Sequence, residues 1–437
     1  MDAPDTLPQI DGPAGLRVFA ALLRRRSVLG ALEQLHAELG DVFRIPLPVF
    51  NPFVLVGPEA NRFVAVTGRH DLRWRPEGDP VAKLLRQGVL VTDGELHDEL
   101  RGAMTPALHK RQLAGYAAAM LHRTDQVIAA WGASAEVDML VEMRRAALLI
   151  LMDTLYRVDF TAELQTLWDA ILKTLKYISP GPWVVFPGIP RLGYRRHLER
   201  LDRYLYAIIA HRRRTGGPDD DLLGGLIAAG MGDDLIRDQL LTMLIAGHDT
   251  STALLAWALY LLGAHPPVLQ RVQAEVDAEL GAAPPDIDNT ARLEYLERVL
   301  DETLRLYPPI HIGNRRAAVD LEFNGHAIPA GSRVVYSIYL SHRHPDFWDD
   351  PDRFDPDRFI PERAYARPHY VYLPFGGGPR NCIGLAFAQV EAKIVLARIL
   401  QRYEVRLTEP QVHMHMGATL EPRPGVRMRV TRRPDIT

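Results

Sequence analysis

Between Gly232 and Gly263 the chain is dominated by apolar, helix-forming residues. Asp233 and Asp234 suit a helix start, and Gly263-Ala-His-Pro266-Pro267 is a stop. Roughly 28 residues at the α-helical rise make a rod of roughly 42 Å. A rod of that length crosses the whole core of a globular domain, so the other elements must wrap around it. Its centre breaks the pattern with Ala246-Gly-His-Asp-Thr250-Ser251. Serine and threonine in helices often bond back to a carbonyl one turn earlier. Several successive polar residues in a core helix are costly, however, unless they line a cavity or meet a ligand. An acid beside an alcohol, Asp249-Thr250, is what a proton relay requires. Gly247 lets a large group press against the helix.

The flanking pattern is mainly α with a minor β part. Val42–Ile45 and Phe53–Val56 read as strands, and residues from about 93 to 310 as mostly helical. Helices are expected over Val268–Leu280, closed by Gly281, and from Ala291 to Tyr307, closed by Pro308-Pro309. Leu321–Phe323 and His326–Ile328 flank Asn324-Gly325, a hairpin signal. A strand over Arg333–Ile338, an ordered meander over 343–381 and short strands over 402–432 follow. No repeat or linker divides the chain, so we expect one domain over 1–437, with 1–29 as an N-terminal extension.

The bulk properties narrow the class. The 437 residues are 47% hydrophobic and 24% charged, with a net charge of −3, which gives no basis for nucleic-acid binding. The acidic, proline-containing start has no basic and apolar signal-peptide pattern. No membrane span is expected: Leu148–Met152 is short and charge-flanked, and the long helix is polar at its middle. A cytoplasmic protein is the expectation.

There is one cysteine, in Phe375-Gly-Gly-Gly-Pro-Arg-Asn-Cys382-Ile-Gly384. It can form no internal disulfide and no multi-thiolate zinc site. A lone cysteine is ordinarily a small buried hydrophobe. Here three glycines allow tight turns and close approach to a flat ligand. A helical stretch from Leu385 places backbone N–H groups near the sulfur, which is expected to lower the thiol pKa. Arg380 adds positive charge or pairs with a ligand carboxylate.

Other pairs are weaker singly. Glu302 and Arg305 lie three apart on one helix face, and Arg358 can share the same carboxylate. His97 and Arg101 lie four apart on another helix, and Arg315 follows the Pro-Pro turn. His342/His344 and His413/His415 have metal-like spacing, but no carboxylate or third imidazole stands in a fixed relation to either pair in the sequence.

Taken together and in order, these residues resemble the cytochrome P450 family of haem-thiolate enzymes. Phe375, Gly378, Arg380, Cys382 and Gly384 match its haem loop. Glu302-x-x-Arg305 and Phe354-Asp-Pro-Asp-Arg358-Phe359 match its paired structural motifs. Ala246-Gly-x-Asp-Thr250 matches its oxygen-activation motif. The resemblance implies the family fold, with the long helix over haem b, and Cys382 as the axial iron ligand. It implies proton delivery by Asp249 and Thr250. His97, Arg101, Arg315 and Arg380 would hold the propionates, with Ala246, Phe375, Gly376 and Gly384 against the cofactor. Glu302, Arg305 and Arg358 would form a buried network. Val91, Ala246, Ile310 and Ile312 are expected to line a mostly apolar substrate site, together with segments around Arg75–Val91, Tyr177–Pro190 and Met414–Ala418. The implied activity is a monooxygenase inserting one O2 oxygen into a C–H bond of a fatty acid, terpenoid or carotenoid-like molecule. Electrons would come from a separate ferredoxin- or flavodoxin-type donor with its reductase. The alternatives are a peroxide-dependent hydroxylase and a non-catalytic haem binder.

Overall fold

The computed structural model describes residues 28–45, 50–74, 79–180 and 193–434, with isolated positions between 7 and 20 and Arg191. Arg75 and residues 181–190, which include Val184, Val185 and Phe186, lie outside the described residues.

Among the described residues, the helices of twelve or more residues are α1 (Val28–Leu39), α2 (Gly94–Leu108), α3 (Lys110–Ala129), α4 (Met139–Leu155), α5 (Glu163–Ile178), α6 (Arg195–Thr215), α7 (Asp233–Ala264), α8 (Pro266–Leu280), α9 (Glu294–Leu306) and α10 (Leu385–Arg402). The rod read from the sequence is α7, 32 residues long and buried on nearly every side. Because it carries apolar residues all round, it needs packing partners all round. It has α4, α6, α9, α10 and strand residues 420–423 against it. The helix expected from Ala291 begins later, at Glu294. A separate short turn, Ile287–Thr290, precedes it and is closed by a capping box on Asp286.

The strands are β1 (Val42–Arg44), β2 (Phe53–Leu55), β3 (Leu72–Arg73), β4 (Ser134–Asp138), β5 (Ile312–Ala317), β6 (Leu321–Phe323), β7 (His326–Ile328), β8 (Arg333–Ser337), β9 (Tyr403–Leu407), β10 (His413–Met416), β11 (Leu420–Arg423) and β12 (Arg427–Arg432). One sheet runs β1-β2-β8-β5-β3, with β2 and β8 parallel. Another runs β4-β12-β9, and two-stranded hairpins join β6 to β7 and β10 to β11. The predicted Asn-Gly hairpin is present, with both turn residues at positive φ. β4 lies in a stretch expected to be helical. It is a strand because it pairs with β12, a partner at the other end of the chain. No single helix among the described residues is long and apolar enough to cross a membrane.

Candidate active site

The cysteine loop is held by its own backbone. Cys382 N donates to the Phe375 carbonyl at 2.7 Å, and Asn381 N to that of Gly378 at 3.1 Å. Gly376 and Gly378 sit at φ 69° and 64°, where side-chain-bearing residues are strained. A Cβ on Gly378 would lie 2.3 Å from the Ala65 carbonyl oxygen, so the loop can pack there only as glycine. Arg101 of α2 donates to Asn381 Oδ1 at 2.7 Å and so braces the loop from outside.

The Cys382 thiol opens onto a cavity yet lies deep in the protein. Burial pushes its pKa up; the Gly384 N–H and the Arg101 charge lower it without prevailing. This corrects the expectation of a depressed pKa. Desolvation of the thiolate outweighs the helix start.

The cavity measures about 1800 Å³. Phe375, Gly376, Cys382 and Gly384 form one wall, and Ala246, Gly247, Asp249 and Thr250 of α7 form another. The space continues past Ile310 and Ile312 to Leu32 and Leu35 of α1 and to Met414 and Met416 of β10. Of the expected lining residues, Val91 packs instead into the main core, and its neighbour Leu90 reaches the cavity.

The expected propionate clamp is divided. Arg315 and Arg380 reach the cavity wall and flank the Trp74 ring, with guanidinium carbons 3.4 and 4.9 Å from its centroid. Arg380 also pairs with Asp93 at 2.6 Å and donates to the Thr92 carbonyl. His97 is buried behind this wall with Nδ1 2.8 Å from Asp98 Oδ1, and burial lowers its pKa. His97 and Arg101 are not in the cavity wall. Trp74 was missed from sequence; its proximity to two arginines arises from the fold.

The polar centre of α7 engages distant partners. Thr250 Oγ1 donates to the Ala246 carbonyl at 2.6 Å, the ordinary helical back-bond. Asp249 accepts from Thr419 Oγ1 at 2.8 Å and from Arg144 Nη2 at 3.4 Å. Arg144 also donates to Glu421 at 2.9 Å, and Arg423 to the other oxygen of Glu421 at 2.8 Å. Burial alone would raise Glu421, but the two arginines hold it below its ordinary pKa. Ser251 donates to Glu391 at 2.6 Å, and burial lifts that carboxyl to about 8. None of Arg144, Thr419, Glu421 or Glu391 carried a local sequence signal.

Glu302, Arg305 and Arg358 come together as expected. Arg305 donates to both Glu302 oxygens, at 2.6 and 2.8 Å, and both side chains are fully buried. It also reaches the carbonyls of His342, Pro351 and Arg353. Arg358 Nε lies 3.4 Å from Glu302, an ionic contact without hydrogen-bond geometry. His342 Nε2 accepts from Leu373 N at 2.8 Å and so ties this network to the residues leading into the cysteine loop.

One expectation about histidines is overturned. His344 Nε2 lies 3.0 Å from Asp41 Oδ1, which also meets His36 Nε2 at 2.7 Å. The fold therefore supplies a carboxylate and a second imidazole. Asp346 N donates to His344 Nδ1 at 3.2 Å, leaving the His344 proton on Nε2 for Asp41. This is a hydrogen-bonded cluster rather than a set of free metal ligands.

The main site fits iron protoporphyrin IX. It offers one sulfur, glycines without side chains in the wall beside it, and two arginines at the margin. The expected role of Gly247 is corrected: a Cβ there would lie 2.6 Å from Leu151 Cδ1, so what presses on α7 at this glycine is Leu151 of α4. The family model for cytochrome P450 matches residues 11–427. Cyclooctatin synthase of Streptomyces melanosporofaciens is 32% identical over 94% of this chain and 92% of its own length. Pentalenene oxygenase of Streptomyces avermitilis is 31% identical, covering 90% of this chain and 91% of its own. The solved structure of retinoic acid-bound cyanobacterial CYP120A1 superposes with a TM-score of 0.83 at 28% identity, over 92% of this chain and 94% of that one. The chain belongs to the cytochrome P450 family of haem-thiolate monooxygenases.

Proposed function

We propose that this monooxygenase oxidises a terpenoid, using electrons from a ferredoxin- or flavodoxin-type donor and its reductase. The observation that carries this reading is the large, mostly apolar cavity joining Cys382 to Asp249 and Thr250. Its volume exceeds the ~300–1,000 Å³ of common small-molecule sites, which accommodates a cofactor together with a sizeable lipophilic substrate. The similarity to two oxygenases whose names refer to the terpenoids cyclooctatin and pentalenene supports the skeleton.

In this reading Cys382 holds haem b, and Arg315 and Arg380 take its carboxylates, with His97 and Arg101 supporting them from α2. Bound haem supplies O2 activation, with the overall balance R–H + O2 + 2e⁻ + 2H⁺ → R–OH + H2O. Thr250 presents its hydroxyl on the α7 wall of the cavity once its bond to the Ala246 carbonyl is released. Asp249 takes up and passes on the protons that the balance requires, and Arg144 and Thr419 hold its carboxylate in place. Apolar walls keep bulk water from the reacting carbon.

The test is product formation from diterpene and sesquiterpene hydrocarbons and alcohols with a ferredoxin–reductase couple, set against hydrogen peroxide alone. Cys382→Ala serves as the control and should also lose the thiolate-type reduced-CO spectrum. Oxidised terpenoid formed only with the reductase supports the proposal. Efficient turnover with peroxide alone, or oxidation of fatty acids but no terpenoid, refutes it.

A further inference from the structure

His311 lies between the Pro308-Pro309 stop of α9 and the start of β5. Its position is fixed on both sides. Its carbonyl accepts from Tyr339 N at 3.0 Å, and the Pro309 carbonyl accepts from Leu420 N at 3.0 Å. The residue is 7% exposed and belongs to the wall of the cavity that also contains Cys382 and Thr250. Nδ1 lies 3.5 Å from the Pro309 carbonyl oxygen, which can only accept, so the ring proton stays on Nδ1. Burial pushes the ring's pKa down to about 4, so it is neutral. Nε2 keeps its lone pair. Among the described residues it has no protein partner, and unlike Nε2 of His248 it is not sealed inside the protein. It opens to the cavity. The neighbouring polar groups are already engaged, Thr250 with Ala246 and Thr419 with Asp249. An apolar ligand that fills the cavity takes this acceptor out of water and leaves it unpaired, a cost that a ligand carrying a donor avoids.

We propose that His311 Nε2 accepts a hydrogen bond from a hydroxyl group on the substrate, so the enzyme selects an already hydroxylated lipophilic molecule over its parent hydrocarbon. The reaction that supplies such a substrate is an earlier hydroxylation, or a cyclisation quenched by water. The inference deepens the terpenoid reading and takes its first probes from it.

Spin-state titration of the holoenzyme with farnesene and farnesol, and with dodecane and 1-dodecanol, tests it. One buried hydrogen bond should make the alcohol bind about 10-fold tighter than its hydrocarbon. His311→Leu should erase the difference by weakening farnesol, while farnesene, which no longer covers an unpaired acceptor, binds at least as tightly as before. His311→Gln, whose amide oxygen accepts, should keep part of it. Equal binding of farnesene and farnesol removes this inference and leaves the terpenoid reading intact. Equal loss of both ligands in His311→Leu also overturns it, because the residue is then structural. A response to the dodecyl pair alone removes the terpenoid reading, and the alcohol preference is then judged on that pair. No response to any of the four overturns both.

Discussion

Glu302→Gln keeps the shape of the side chain and removes one charge from a fully buried site. Arg305 makes five hydrogen bonds. Three go to main-chain carbonyls and survive the change. Two go to the Glu302 carboxylate, at 2.6 and 2.8 Å, and one of these must then face an amide NH2. The same carboxylate accepts from Asp355 N at 2.9 Å and faces Arg358 at 3.4 Å. The variant leaves fully buried Arg305 without a carboxylate partner and Arg358 with only the field of Asp355. Removing one side of a buried ion pair costs about 3–5 kcal/mol. Denaturation of the holoenzyme, followed by far-UV circular dichroism and haem absorbance together, measures the loss. Because His342 links this network to Leu373, both signals should shift together. A cycle with Glu302→Leu and Arg305→Met separates charge from packing. Each single variant strands a buried charge, so the double should lose less than the sum of the singles by about 2 kcal/mol. Strict additivity, or a loss under about 1 kcal/mol for Glu302→Gln, would refute the account of a site that depends on mutual neutralisation.

Thr250→Ala should retain haem and substrate binding while product formed per electron pair falls by about 10-fold or more, with peroxide released instead; unchanged coupling argues against the relay. Gly378→Ala places a side chain at φ 64° against the Ala65 carbonyl. It should cost at least about 1–2 kcal/mol of holoenzyme stability, whereas Gly102→Ala, on an open helix face, should be neutral or slightly stabilising; equal effects would contradict the packing described. Glu391 has a folded pKa of about 8 against an ordinary 4.5, so the folded state keeps a proton that the unfolded chain releases. Stability therefore falls as pH rises through this window, by at most about 1.4 kcal/mol per unit. Glu391→Gln should make the drop in thermal midpoint between about pH 5.5 and about pH 7.5 smaller. Asp301, lifted to about 7 by burial, keeps its own share of the slope in that variant. An unchanged slope would show that Glu391 titrates alike in both states.

What could be read from the sequence was whatever is written in neighbouring residues. The Glu302–Arg305 pair, the Asn-Gly hairpin and the glycines before Cys382 are local, because helix geometry and turn sterics act over a few positions. The chain also showed the length of α7 and its polar break. It did not show what the break meets. Arg144 and Thr419 lie 105 and 170 residues from Asp249, and only the packing of α4 and β11 on α7 brings them there. The thiol pKa failed for the same reason, since desolvation is a property of the surrounding volume. Val91 and Leu90 exchanged roles because one residue of helical or turn phase decides which side chain faces a cavity.

The β4–β12 pair has a consequence for how the molecule is made. Glu136 and Arg429 are separated by 293 positions, and β10 and β11, which bring Met414 and Thr419 to the cavity, lie between β12 and its other neighbour β9. Helices α6 and α9 meet α7 across short stretches of chain, whereas α10 packs on α3 across a span close to that of β4–β12, with Arg398 bonded to Asp125 273 positions away. Closing a loop of that span costs more chain entropy than local contacts do, although the cost grows only logarithmically with length. High contact order of this kind slows folding. The α3–α10 and β4–β12 pairs both wait for the C-terminal part of the chain to return, so the cavity wall carried by β10 should form in the same late step that completes the helical core.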